Sequence, residues 1–309
     1  IGSRADDGVE ASQADSSRTM ASQGTGYDLS ASTYSPDGRI FQVRVLGGAV
    51  LIQIEYASKA VENAGTAIAV RTKDGVVFGV ENLIQSKLLV PGSNRRIFNV
   101  DSHIGLVAAR RAMGLTQTSA GLTADGKHLA NRARDEAANF FDNYKEKPPV
   151  KVRAFAPTPY TDFAERIALY VQAFTLYSSV RPFGTSTIVG GVDALRGPQL
   201  FVVEPSGVFW GYHGCAIGKG KQFAKTEIEK LDLASLSLEQ AVEEVARMCV
   251  SHEVTNISIY KAHDDAKDKE FELELSWIGP NQRHEAVPRE LYDEAVRKAV
   301  ASLDEEMED

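Results

Sequence analysis

The sequence predicts an α+β fold in which two antiparallel sheets pack on each other with helices outside them. Short strand patterns come first, a pair of helical patterns follows, and the same order then repeats. Runs of strands followed by runs of helices point to stacked sheets rather than to the strand–helix alternation of a parallel sheet. An Asp-Gly hairpin signal makes the first strand pair antiparallel. A chain of 309 residues with 43% hydrophobic content can bury one large core, because single domains of that order are common.

A helix is expected over Glu55 to Ala64. Thr66 to Val70 and Val76 to Val80 then read as strands around the turn Lys73-Asp74-Gly75. Ile97 to Val100 and Ile104 to Ala108 form a second pair, joined around Asp101-Ser102-His103. Leu129, Ala133, Ala137, Phe140 and Tyr144 recur at helical spacing, as do Ile167, Tyr170, Val171, Phe174 and Tyr177. The second of these helices has to stop before Pro182, whose ring disfavours the helical conformation at Arg181.

Ser186 to Val189, Leu200 to Val203 and Val208 to Tyr212 are the next strands. Helices follow over Lys221 to Leu231 and Ser237 to Met248, the latter opened by Ser237-Leu238-Glu239-Gln240 with capping-box spacing. Phe271, Leu273, Leu275 and Trp277 alternate with Glu272, Glu274 and Ser276, the pattern of a half-buried strand. A last helix starts near Pro288 and runs into the acidic tail Asp304 to Asp309.

The net charge of −8 argues against nucleic acid and anionic membranes as partners, since both need Lys and Arg to neutralise phosphates. No apolar run reaches the ~18 residues of a membrane span. Cys215 and Cys249 are too few for a disulfide framework and lack zinc or redox spacing, which fits a reducing compartment. The histidines are scattered singly, so no metal site is expected. Gly214-Cys215-Ala216-Ile217-Gly218-Lys219-Gly220 has the wrong spacing for a phosphate loop and no Ser or Thr after the Lys, so no cofactor is expected either. Residues 1–26 are rich in Ser, Ala, Asp, Gln and Gly and read as a disordered N-terminal extension, within which Met20 is a candidate start. One domain is expected over 27–309.

Three segments, Tyr27-Asp28-Leu29-Ser30, Ser35-Pro36-Asp37-Gly38-Arg39-Ile40-Phe41-Gln42-Val43 and Glu55-Tyr56-Ala57-Ser58-Lys59-Ala60-Val61, closely resemble the N-terminal signature of proteasome alpha subunits. Gly65-Thr66-Ala67-Ile68, Arg181-Pro182-Phe183-Gly184 and Ala216-Ile217-Gly218-Lys219-Gly220 agree with it. Lys225 to Leu231 and Phe271 to Trp277 look most like one branch of that family.

The resemblance implies an N-terminal-nucleophile-type alpha-beta-beta-alpha sandwich, with two antiparallel sheets between helix layers. Catalysis in that class needs a chain-terminal Thr whose own amine serves as base. Thr66 stands where a beta subunit is cut, but a helix is expected before it, so no catalytic residue is assigned. By the same resemblance Tyr27, Asp28, Pro36 and Tyr56 match the gate cluster around the pore, where a hydroxyl and a carboxylate can bond across neighbours and Pro36 sets a turn. Arg96 stands where many alpha subunits carry a Lys that meets an activator's carboxylate. From composition alone, Arg96 reads as an exposed cation beside a strand.

The implied partners are other alpha subunits in a seven-membered ring, a beta ring, and regulatory-particle or other activators. The implied setting is ubiquitin-dependent and ubiquitin-independent protein degradation in cytoplasm and nucleus. The alternatives are an N-terminal-nucleophile threonine hydrolase and an assembly-defective isoform. Four segments depart from the family pattern, near Arg44 to Ile54, Arg110 to Ala120, Arg153 to Phe163 and Cys249 to Ser258. Their similar lengths and lack of a shared motif fit spacers read through in frame, such as retained short introns, better than loop insertions.

Overall fold

In chain order the elements are β1 (Thr33–Tyr34), β2 (Ile40–Phe41), α1 (Ala49–Glu62), β3 (Ala67–Arg71), β4 (Val76–Leu83), β5 (Ile97–Asp101) and β6 (Ile104–Ala108). Then come α2 (Gly121–Tyr144), α3 (Phe163–Leu176), β7 (Thr187–Asp193), β8 (Gly197–Val203), β9 (Phe209–Gly211) and β10 (Gly214–Ile217). The chain ends with α4 (Lys221–Lys230), α5 (Leu238–Lys261), β11 (Phe271–Ile278), β12 (His284–Ala286) and α6 (Arg289–Glu308). This computed structural model describes residues 33–34, 40–41, 49–83, 88, 90, 92, 94–108, 121–150, 162–177, 180–194, 196–261 and 271–308.

Two five-stranded antiparallel sheets carry the fold, one ordered β10-β3-β4-β11-β12 and the other β5-β6-β7-β8-β9. The period of two along each strand sorts side chains into three layers. In β3, Ile68 and Val70 face the core under α4, α5 and α6, while Ala67 and Ala69 face the opposite sheet. In β6 and β8, Leu106, Phe201 and Val203 face α2 and α3, while Val107, Leu200 and Val202 face the first sheet. Each large apolar side chain so buried contributes roughly 1.5–3 kcal/mol before entropy is counted.

Between the sheets, small residues admit one large ring. Phe78 is fully buried, and a Cβ on Gly190 would stand 2.6 Å from its Cζ. A Cβ on Gly105 would stand 3.1 Å from the same ring. Glycine is therefore required in these strands for room, not for backbone freedom.

The hairpin at Lys73-Asp74-Gly75 is present, with Thr72 Oγ1 accepting from the Gly75 N–H at 3.1 Å. So is the capping box: the Ser237 N–H donates to Gln240 Oε1 at 3.0 Å and the Gln240 N–H donates to Ser237 Oγ at 3.3 Å. Several elements differ from expectation. α1 begins at Ala49, inside the first atypical segment, and ends at Glu62. α5 runs unbroken to Lys261, and Cys249, Val250 and Ser251 of the fourth atypical segment are buried in it. β10 and β12 were not expected; each is too short to show a period, and each forms by pairing, β10 with β3 and β12 with β11. The second atypical segment and residues 153–161 of the third lie outside the described residues, as do residues 1–26.

Candidate functional site

Thr66 stands at the junction of α1 and β3 and decides what chemistry the chain can do. It is fully buried. Its amide N–H donates to Glu81 Oε2 at 3.3 Å, its carbonyl accepts from the Glu81 N–H at 3.1 Å, and its Oγ1 accepts from the Gly220 N–H at 3.0 Å. The loop from β10 to α4 closes over the same junction, with the Lys219 N–H donating to Ala64 O at 2.8 Å. Gly218 sits there at φ +96°, and a Cβ would stand 2.5 Å from Gly65 O. Only glycine meets both demands.

Arg96, just before β5, ties the junction to both sheets. Its Nη1 donates to Glu81 O at 2.5 Å, its Nη2 to Gly65 O at 2.8 Å and its Nε to Ala108 O at 3.3 Å. The reading of Arg96 as an exposed cation is corrected: the residue is 2% exposed. A planar guanidinium with donors in a fixed fork can bridge carbonyls from three separate segments, which sequence neighbours do not reveal. The Arg96 N–H donates to Glu274 Oε2 at 2.8 Å. Burial raises the Glu274 pKa, against the opposing pull of the Arg96 and Ile97 N–H groups and the nearby arginines.

Glu81 and Glu274 were not singled out from the sequence. Glu274 lies on the face of β11 that alternation assigns to solvent, but β11 lies between β4 and β12 and that face looks toward the second sheet. The signal available was Glu81 following the apolar run Val76 to Val80 within one strand.

A threonine hydroxyl, a carboxylate and a cation thus meet at one place. The missing part is a base. Thr66 nitrogen is a peptide amide, conjugated into the Gly65 carbonyl that Arg96 holds, so it has no basic lone pair to activate Oγ1. The thiols offer no substitute, since burial pushes Cys215 up to about 12 and Cys249 well above its ordinary value.

Of the gate residues, Tyr56 lies in α1 and packs with Ala57 and Ala60, with Lys59 Nζ 5.9 Å from its ring centroid. Tyr27, Asp28 and Pro36 lie outside the described residues, and so does their grouping with Tyr56. Among the described residues, no cluster of His, Cys, Asp or Glu could hold a metal ion, and no helix is long and apolar enough to cross a membrane.

Two antiparallel sheets stacked between helix layers, with a threonine leading an inner strand, define an N-terminal-nucleophile-type sandwich, here with the nucleophile's amine locked in a peptide bond. The family pattern described as "Proteasome subunit" matches residues 61–275, and a second pattern, the N-terminal signature of A-type proteasome subunits, matches 27–44. The chain is 48% identical over 288 residues to "Proteasome subunit alpha type-3" of Spinacia oleracea, covering 93% of this chain and 98% of that one. It is 47% identical over 285 residues to the protein of the same name in Acanthamoeba castellanii, covering 92% and 96%. To "Probable proteasome subunit alpha type-7" of Saccharomyces cerevisiae it is 48% identical over 283 residues, covering 90% and 83%. The chain belongs to the proteasome subunit family, on its alpha-type, non-catalytic branch.

Proposed function

We propose that this chain packs beside other alpha subunits in a seven-membered ring, stacks on a beta ring and helps admit proteins for degradation in cytoplasm and nucleus. The observation that carries this reading is the sealed Thr66 junction, together with the alpha-type signature at 27–44. In this role Tyr27, Asp28, Pro36 and Tyr56 hold the N-terminal segments at the pore. Arg96, its guanidinium buried on the carbonyls of Glu81, Gly65 and Ala108, holds this junction in place and does not itself reach an activator's terminal carboxylate.

Size-exclusion chromatography of the native protein, with mass spectrometry of its partners and of its own N-terminus, tests this. The expected result is a large assembly containing other alpha and beta subunits, with the Gly65–Thr66 bond intact. A new N-terminus at Thr66 would instead establish the hydrolase. Elution as a monomer or aggregate would establish the assembly-defective form.

A further inference from the structure

We infer that the cleft between α1 and α4 seats a segment of a neighbouring alpha subunit that presents one acidic and one basic side chain. This rests on the ring reading above and adds where, and by what chemistry, one neighbour is recognised.

The cleft has a volume of about 230 Å³. Its rim carries charges of both signs: Glu62 on α1 and Glu204 just after β8, against Lys221 and Lys225 on α4. The lysines are four positions apart and share one helix face. None of the four makes an ion pair among the described residues, and across the cleft the opposite charges stay more than 4.0 Å apart. Elsewhere the chain does pair its charges, as Lys230 with Glu227 on α4 at 2.6 Å and Lys298 of α6 with Glu243 of α5 at 2.7 Å. The cleft lining is polar as well. Ser186 is 5% exposed, lines the cleft, and its hydroxyl makes no hydrogen bond among the described residues. The Tyr212 phenol lines it too, its pKa raised by burial and then by Glu204.

An occupant has to satisfy both halves of this rim. A lone anion drawn to the lysines meets Glu62 and Glu204, and a lone cation meets the lysines. A segment with both charges neutralises each pair, and its acidic group also gains the positive end of α4 and the free Ser186 hydroxyl. The volume accommodates side-chain ends rather than a folded element. One wall is α1, the helix that follows the alpha-type signature in the sequence. Charge complementarity of this kind selects among similar partners more than it adds raw affinity, which is what fixing one ring neighbour requires.

The test is co-expression of the full chain with the remaining alpha subunits, with ring incorporation measured by native gel and mass spectrometry. Lys221→Glu with Lys225→Glu, and separately Glu62→Lys with Glu204→Lys, are expected to lower incorporation by roughly tenfold or more. Lys221→Gln with Lys225→Gln should fall between these and the unaltered chain. All four rim residues make no internal ion pair, so melting temperatures should stay at the starting value; a lowered melting temperature that tracks the loss would overturn the docking role. Wild-type incorporation of both charge-reversed chains would overturn it too. So would charge-dependent binding of free Lys-Glu dipeptide by the chain with incorporation unchanged, which would make the cleft a small-molecule site. Failure of the unaltered chain to enter rings would instead remove the ring reading, and this inference with it.

Discussion

A methyl group added at Gly190 would stand 2.6 Å from Cζ of Phe78 and 3.1 Å from Cγ1 of Val76. The ring has little room to retreat. Gly105 lies on its other side and His284 meets it edge-on, with centroids 5.8 Å apart. Gly190→Ala must therefore push Phe78 off its rotamer or part the sheets, at a cost of about 1–3 kcal/mol. Phe78→Leu removes the far end of the ring and costs about 1 kcal/mol or more through the space it leaves. In the double variant the new methyl enters that vacated space, so the two costs should fall short of their sum by about 0.5–3 kcal/mol. Urea denaturation of the four chains, analysed by linear extrapolation, measures this coupling. Additivity within about 0.5 kcal/mol would refute the claim that the sheets are spaced by this ring against these glycines.

Two further outcomes follow from buried groups. Burial lowers the His284 pKa from 6.5 to about 4, with the ring sharing a hydrogen bond with Ser276 Oγ at 2.9 Å. The unfolded chain binds that proton first, so stability holds above about pH 6.5 and falls by up to about 3 kcal/mol as pH drops to 4. His284→Gln should flatten that part of a stability–pH curve, and parallel curves for the two chains would disprove the assignment. Arg96→Ala should cost about 1–3 kcal/mol for each carbonyl left buried without a donor, with Arg96→Lys recovering only part because an ammonium lacks the fork. Unchanged denaturation midpoints would return Arg96 to the solvated cation of the sequence reading.

The element order was readable because it rests on local chemistry. The hairpin at Asp74-Gly75, the capping box at Ser237 and the helical recurrence of Ile167, Val171 and Phe174 each depend on residues a few positions apart. The alpha-type branch was readable too, because its signature is a run of neighbouring residues that the family pattern matches at 27–44. Where the periodic signal was short or two-sided, reading failed. β10 and β12 have four and three residues and exist through their partners β3 and β11. Cys249 to Ser251, at the start of the fourth atypical segment, continue α5, with Cys249 and Val250 packed in the core under the first sheet.

The sequence by itself determined the class of fold and the family signature, both properties of neighbouring residues and their spacing. Tertiary structure decided which charges are buried and which stand open. Arg96 is enclosed because Gly65, Glu81 and Ala108, far apart in the chain, turn their carbonyls to one point. Glu62, Glu204, Lys221 and Lys225 stand unpaired because three separate segments place them around one cleft. Both outcomes depend on long-range closure of the chain, and burial of a charge is set by what surrounds it in space.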